Sequence, residues 1–197
     1  MKIYDISQEV LNCKVYPDDP CPKIRFLKET KNGDLYNLST FEMCSHNGTH
    51  IDAPLHFING GKSIQNVVLE KCVGKCFVIA DTQLLTPEET QKTIKQLQEI
   101  DFEASKRLLI KGSCDISKEI AKILSNEIIL IGSETQSVGP ENAPMAVHLE
   151  LLSKDVVLLE GICLEKVKEG IYFLNAAPLN IGIAEGAPCR AILIGDE

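Results

Sequence analysis

The sequence predicts a mixed α/β fold built as a single domain over residues 1–197. The chain has 197 residues, a length that one hydrophobic core can serve, and 44% of them are hydrophobic. In the second half, short apolar runs alternate with helical patterns, which is typical of strands that pair in parallel in a sheet covered by helices. The first half is rich in strand-like runs, and we expect these to pair antiparallel.

Nine apolar runs are predicted to be strands because they are short, rich in β-branched residues and bounded by Gly, Pro, Asn or Asp. They lie at 2–6, 23–29, 35–45, 75–81, 107–111, 127–132, 155–159, 171–175 and 189–194. The sequence contains no linker, repeat or low-complexity segment, which is why we expect one domain in which a β-rich layer leads into an α/β layer.

Three segments are predicted to be helices, at 87–99, 117–125 and 145–153. In the first, Thr86 can cap the helix, Pro87 suits the first helical position, and two glutamates follow in the positive first turn. In the second, SKEIAKILS, the apolar side chains form one stripe. In the third, Pro144 can open the helix, and His148 shares a face with two leucines.

Charge and hydropathy exclude several classes of protein. The formal net charge is -8 and cations are not clustered, so binding to nucleic acid is not expected. No run of about 18 apolar residues occurs, so no membrane-spanning helix is expected. The start, MKIYDISQEV, lacks the apolar region of a signal peptide. We therefore expect a cytoplasmic protein.

The chain has eight cysteines, and none are spaced C-x-x-C. Several lie in apolar runs, where a free thiol acts as a small hydrophobic side chain. A structural disulfide is not expected without a secretion signal. Cys44 is the candidate for a cysteine nucleophile, because it lies beside a cluster of histidines.

That cluster is the segment HNGTHIDAPLH at 46–56, which holds three of the four histidines of the chain, His46, His50 and His56. Asp52 adds a carboxylate among them. Imidazole and carboxylate together are the ligands of Zn, Mn or Fe sites. The alternative is a half-polar strand whose histidines face solvent.

The spacing of these four residues limits their geometry. On a helix, positions 52 and 56 would point away from 46 and 50. On a strand all four share one face, but 46 and 50 would be about 13 Å apart, too far for two ligands of one ion. Gly48 can supply a bulge or bend, and Pro54 can end the strand and turn His56 back towards the others.

Two residues later in the chain could complete a metal site. His148 lies in the third predicted helix, and Glu160 ends the apolar run VVLLE. A carboxylate at the end of a buried strand needs a cation or a metal as partner. The alternatives are that His148 is a core histidine and that Glu160 pairs with Lys166 or Lys168.

The segment HNGTHIDAPLH resembles the H-x-G-T-H-x-D-x-P-x-H signature of the cyclase-like metal-dependent hydrolases, which include bacterial kynurenine formamidases and isatin hydrolases. The spacing of His148 and Glu160, and the segment IGSETQSVGPE at 131–141, are also similar to the family. The chain departs from it in carrying Glu134 where an Asp is usual, Gly139 where an acidic residue is common, and YPDDP at 16–20 without the glycine often seen there.

The resemblance implies a swivelling β/β/α fold, a homodimer or larger homo-oligomer, and one or two divalent metals, with zinc typical and manganese used by some relatives. It implies the following roles: His46 and His50 hold one metal, Asp52 and Glu160 bridge two, His148 holds the second, and His56 is the general acid/base.

The resulting hypothesis is hydrolysis of a small-molecule amide, N-formylkynurenine or a related compound, by a metal-activated water. An isatin-like cyclic amide or ester is an alternative substrate. The competing hypotheses are a non-catalytic metal-bound module that binds a small molecule, and a thiol enzyme that uses Cys44 with His46 or His50.

Overall fold

A computed structural model describes residues 1–140 and 143–195 of the chain. Its strands are β1 Lys2–Asp5, β2 Lys23–Lys28, β3 Leu38–Glu42, β4 His50–Asp52, β5 Val73–Ala80, β6 Arg107–Lys111, β7 Leu130–Ser133, β8 Val157–Glu160, β9 Gly170–Asn175, β10 Gly186–Pro188 and β11 Ile192–Gly195. Its α-helices are α1 Leu69–Cys72, α2 Pro87–Ile100, α3 Lys118–Leu124 and α4 Met145–Ser153.

Nine of these strands form one mixed sheet in the order β1-β11-β9-β5-β6-β7-β8-β4-β10. The central strands β5, β6, β7 and β8 are parallel, and helices α2, α3 and α4 lie in the connections between them. The flanking strands pair antiparallel, including β4 with both β8 and β10. The mixed α/β class, the parallel pairing in the second half and the antiparallel pairing of the early strands are thus confirmed, although strands from both halves join the same sheet.

Alternation along the strands separates two hydrophobic cores. On one face, Leu108, Ile131 and Leu158 pack with the apolar sides of α2, α3 and α4. On the opposite face, Ile51 and Leu159 pack with side chains from β9 and β11. Since neighbours along a strand point to opposite faces, the residues on either side of Ile51 face the helix layer.

Strands β2 and β3 form a separate two-stranded sheet, a hairpin in which every strand residue is exposed. The exposed large apolar side chains of this hairpin, counting its connecting loop, are Ile24, Phe26, Leu27, Leu35, Tyr36, Leu38 and Phe41. An isolated two-stranded hairpin is at best marginally stable in water, so such a surface is expected to be covered by something.

The predicted helices coincide with α2, α3 and α4 to within a residue at each end, because caps and prolines mark their starts. Thr86 accepts the N–H of Glu89, and Ser117 accepts that of Ile120. The predicted strand at 35–45 is too long, since β3 covers only 38–42, and the short strands β4 and β10 were not predicted. Three residues are too few for an alternating pattern to be recognised.

Two sequence-based expectations extend to residues outside the described part of the chain. Glu141 ends the segment at 131–141, and residues 196–197 end the predicted single domain, so that domain stays a prediction. Within residues 1–140 and 143–195, every helix falls short of the length and hydropathy needed to span a membrane.

The segment YPDDP at 16–20 forms a tight turn over residues 16–19. The N–H of Asp19 donates to Tyr16 O at 3.1 Å, with Pro17 and Asp18 between them. Asp18 has φ 72°, in the left-handed region that glycine adopts without steric cost. Asp18 is therefore the residue of this turn whose backbone conformation favours glycine.

Candidate metal centre

The centre is built around β4, which lies between β8 and β10. His50 and Asp52 are alternate residues of this strand, so their side chains share the face that looks towards the helix layer. His50 is paired in register with Glu160 at the end of β8. This antiparallel register brings a histidine and a glutamate that are distant in sequence side by side.

Gly48 lies in the turn-and-bend segment at 45–49 before β4, and its conformation allows His46 to approach the strand. It has φ 68°, and a Cβ there would lie 3.3 Å from Cys13 Cβ. As a result His46 Nδ1 lies 2.9 Å from Asp52 Oδ1 rather than on a continuous strand. The predicted bend at Gly48 is confirmed.

Pro54 ends the strand and turns the chain back, as the sequence predicted. It begins a short 3-10 helix, Pro54–His56, one residue after β4, and this turn carries His56 back over the strand. His56 Nε2 lies 3.9 Å from Asp52 Oδ2, and the ring centroids of His46 and His56 are 4.1 Å apart. His56 is thus near the carboxylates without being bonded to them.

His148 and Glu160 complete the group from the other side. His148 Nε2, on α4, lies 3.2 Å from Glu160 Oε1 and 3.7 Å from Asp52 Oδ2. His148, Glu160 and Asp52 are all buried. The structure therefore brings together all six residues that the sequence indicated, and Glu160 lies in this cluster rather than beside Lys166 or Lys168.

Backbone carbonyls orient two of the histidines. His50 Nδ1 lies 2.9 Å from Gly48 O, and His148 Nδ1 lies 3.0 Å from Pro144 O. A carbonyl can only accept, so each Nδ1 carries a hydrogen; in the neutral ring, each Nε2 then has a lone pair that faces the carboxylates and can bind a cation. Outer partners of this kind are typical of metal-binding histidines.

Two buried atoms at the centre have no hydrogen-bond partner among the described residues, His50 Nε2 and Asp52 Oδ2. His50 Nε2 is 3.4 Å from an oxygen of Asp52 and 3.4 Å from one of Glu160, but neither contact has hydrogen-bond geometry. Two ligands that each lie about 2.1 Å from one tetrahedral ion are about 3.4 Å apart. These residues therefore fit a divalent metal.

The possible ligand atoms form two overlapping groups that share Asp52. One is His46, His50 and Asp52, and the other is Asp52, His148 and Glu160, with ligand atoms within 4.8 Å of one another in each. Such an arrangement can accept one ion or two neighbouring ions. The two buried carboxylates, Asp52 and Glu160, also favour a cation by charge.

Protonation at the centre follows from burial and charge. Burial lowers the pKa of His50, but the nearby carboxylates of Asp52 and Glu160 outweigh it and, in the metal-free protein, raise that pKa to about 10. Burial raises the pKa of Asp52, but its histidine neighbours hold it well below the usual value. His56 differs, because burial lowers its pKa and leaves the ring neutral near pH 7.

A cavity of about 270 Å³ opens onto the centre. Its walls are formed by Tyr16, Asp19, His46, His56, Phe57, Gln136, Ser137, Pro144, His148 and Glu160. Phe57 packs against the rings of His56 and His148, with centroids 4.5 and 4.7 Å apart. This cavity offers a small molecule an aromatic wall beside the candidate acid/base.

The segment at 131–140 supports the centre through its backbone. The N–H of Val138 donates to Glu160 Oε1 at 2.7 Å. Glu134, where the resemblance leads one to expect an Asp, accepts the N–H groups of Gly112 and Leu164 at 2.8 and 2.6 Å. Glu134 thus joins the loops that follow β6 and β8, and it holds no part of the metal cluster.

Sequence reasoning missed Glu185, which lies next to the centre. Its Oε1 is 3.2 Å from His46 Nε2, although the two residues are 139 positions apart. A carboxylate immediately before a glycine that opens a strand is the signal that could have indicated it.

Cys44, the candidate cysteine nucleophile, is half-buried, and burial together with Asp19 and Glu185 raises the pKa of its thiol. That environment opposes a thiolate nucleophile.

Comparisons with known proteins agree with this geometry. Residues 4–140 match the family described as putative cyclase. The kynurenine formamidase of Bacillus anthracis is 32% identical over 98% of this chain and 97% of its own length, and that of Bacillus mycoides is 32% identical over 96% and 95%.

Two solved structures are similar over nearly the whole chain. A potential metal-dependent hydrolase with cyclase activity is 27% identical with a TM-score of 0.79, covering 100% of this chain and 98% of that one. An isatin hydrolase bound to the product analogue thioisatinate has a TM-score of 0.84 at 19% identity, covering 100% and 93%. At that identity the likeness concerns the fold alone.

Proposed function

Because the chain belongs to the cyclase family, we propose that it is a metal-dependent hydrolase that cleaves the C–N bond of a small-molecule amide. The observation that carries the proposal is a pair of buried ligand atoms, His50 Nε2 and Asp52 Oδ2, that have no hydrogen-bond partner in residues 1–140 and 143–195 and lie in a cluster that opens onto a cavity. The likeness to kynurenine formamidases supports an aryl formamide such as N-formylkynurenine as the substrate.

The metal ligands in this proposal are His46, His50, Asp52, His148 and Glu160. Three imidazoles and two carboxylates suit zinc best, with manganese as the alternative. When bound, a divalent metal would lower the pKa of a water molecule and polarise the substrate carbonyl. The two overlapping ligand groups, which meet at Asp52, support either one ion or two.

His56 is proposed as the general acid/base. It lies at the cavity wall, its Nε2 is 3.9 Å from Asp52 Oδ2, and burial keeps its pKa below the usual value, so its ring can accept a proton. His56 Nε2 takes a proton from the water whose oxygen bonds to the carbonyl carbon. As the C–N bond breaks, the same nitrogen gives that proton to the amine, so the products are the free amine and formic acid, which ionises to formate and a proton.

Phe57 and Tyr16 are proposed to hold the aryl part of the substrate. Both line the cavity, and Phe57 is fixed by ring contacts with His56 and His148. A planar aromatic amide fits a wall of this kind. A cyclic amide of the isatin type has the same planar character and is the second candidate substrate.

The experiment that tests the proposal is hydrolysis of N-formylkynurenine by purified protein, first stripped of metal and then reloaded with zinc or manganese. Turnover that disappears with stripping and returns with metal is the expected result. Tight metal binding without turnover of this substrate, of isatin or of a wider amide and ester panel would refute the enzymatic proposal. It would favour a non-catalytic module that binds a small molecule.

We also propose that the protein is a cytoplasmic homodimer. All eight cysteines have free thiols, which suits a reducing compartment. The exposed apolar hairpin formed by β2 and β3 provides a surface that a second copy could cover. Sedimentation of the wild type and of a variant with Phe26 and Phe41 replaced by lysine tests this. A monomeric wild type would contradict it.

A further inference from the structure

The ring of His46 lies between carboxylates from two distant segments. Its Nδ1 is 2.9 Å from Asp52 Oδ1, inside the centre, and its Nε2 is 3.2 Å from Glu185 Oε1, at the outside. His50 and His148 are oriented the other way, with Nδ1 at a backbone carbonyl and Nε2 inside. His46 therefore faces the centre through the opposite ring nitrogen, and its outer partner is a side chain.

Glu185 is held in place by the strands that hold the centre. It directly precedes β10, whose first residue, Gly186, is paired in register with Asp52. Its backbone carbonyl accepts the N–H of Ala53 at 2.9 Å, and its carboxylate accepts the hydroxyl of Ser45. The carboxylate position is thus tied to the same strand pair that positions Asp52.

We propose that Glu185 is a positioning residue for the metal centre. Its carboxylate accepts the Nε2–H of His46 and thereby fixes the tautomer whose bare Nδ1 faces the centre. Without this acceptor, the ring can carry its hydrogen on Nδ1 or turn away, and either change removes a ligand. The inference rests on the proposed metal-binding function and adds a residue that the ligand set does not contain.

The first test is zinc affinity, measured by competition with a chromophoric chelator. Replacement of an outer partner of a metal-bound histidine typically costs about 10- to 100-fold in affinity. We expect a loss of that size for Glu185→Ala and a smaller one for Glu185→Gln, whose amide oxygen can still accept. Glu165→Ala removes the same charge from an exposed position away from the centre and should change nothing.

A double-mutant cycle with His46→Ala separates positioning from other roles. If Glu185 acts through His46, Glu185→Ala causes no further loss of zinc affinity in the His46→Ala background. If Glu185 binds the metal itself or acts by charge alone, the two losses add, and the proposal is overturned. Loss of the His46 Nε2–H signal from the NMR spectrum of zinc-loaded Glu185→Ala is the expected independent readout.

Circular dichroism and thermal unfolding of the metal-free variants check that each one folds. Should Glu185→Ala fail to fold, the isosteric Glu185→Gln carries the test. Wild-type zinc affinity in Glu185→Ala would overturn this inference alone. Failure of the wild type to bind zinc would overturn the proposed function as well, so the two failures are distinguishable.

Discussion

Replacement of Gly186 by alanine should weaken metal binding without altering any ligand. A Cβ at this position would lie 2.6 Å from His46 Cε1, closer than the ordinary contact range that begins at 3.4 Å. The His46 ring must therefore move, and the rings of His56 and His50, with centroids 4.1 and 5.0 Å away, limit that movement. Overpacking of this kind costs about 1–3 kcal/mol. If the cost falls on the metal-bound state, in which the ring must be in place, zinc affinity drops about 5- to 150-fold.

The assay is the chelator competition described for Glu185, combined with thermal unfolding of the metal-free protein. In the metal-free protein the ring can turn aside, so we expect a small change in unfolding temperature beside a large change in affinity. Gly33→Ala is the control. Gly33 has φ 93° and open space around it, so alanine there should lower stability by about 1 kcal/mol and leave zinc affinity unchanged. Unchanged zinc affinity in Gly186→Ala would refute the reasoning.

Four further predictions concern catalysis, metal binding and stability. His56→Ala should keep its zinc, by metal analysis, but lose about 10²- to 10⁴-fold in turnover; a near-normal rate would exclude the acid/base role. His50→Ala should lose zinc, because its Nε2 lies 3.4 Å from each of two carboxylates, and full occupancy would contradict the assignment. Asp18→Gly should raise the free energy of unfolding by up to about 1 kcal/mol in denaturant titrations, since it relieves a positive φ; a destabilised variant would contradict this. Burial raises the pKa of Asp155, but Lys62 and Lys71 outweigh it and lower that pKa, so its ion pairs stabilise the fold above the unfolded-state pKa of about 3.9. The stability difference between wild type and Asp155→Asn should therefore shrink as the pH falls below that value, and a pH-independent difference would contradict the ion-pair explanation.

The arrangement of the centre explains how two carboxylates can be buried side by side. Asp52 and Glu160 face the helix layer from adjacent strands, and burial would raise the pKa of both. Histidines on both sides supply the compensating interactions and lower them. A divalent metal would stabilise the two carboxylates more strongly than the histidines do. The ligand atoms are therefore better placed to bind an ion than to form hydrogen bonds with one another.

The parts of the fold that sequence predicted well have local causes. Helices α2 and α3 begin at caps and α4 follows Pro144, while the central strands are apolar runs that are buried on both faces. The parts of the fold that sequence failed to predict, such as β4, have no local cause of this kind. Strand β4 contains a histidine and an aspartate and is three residues long, so its own residues gave no strand signal. It exists because β8 and β10 lie on either side of it.

Local chemistry established the candidate ligands themselves. The residue types at 46–56, together with the conformational freedom of Gly48 and the rigidity of Pro54, indicated a bent segment that gathers three histidines and an aspartate. The conformational preferences of Gly48 and Pro54 are enough to predict this bend and turn, because both residues act on the backbone of the segment itself. The bend and the turn that these limits predicted are both present.

Tertiary structure alone decided how distant segments meet this one. The register that places Glu160 beside His50, the approach of α4 with His148, and the contact of Glu185 with His46 all join residues far apart in the chain. Each of these contacts depends on which strands become neighbours. The order of the strands is decided by the free energy of the whole folded chain, to which the packing of both cores contributes. Because no short stretch of sequence contains the information about these long-range contacts, the contact of Glu185 with His46 could be recognised only in the folded chain.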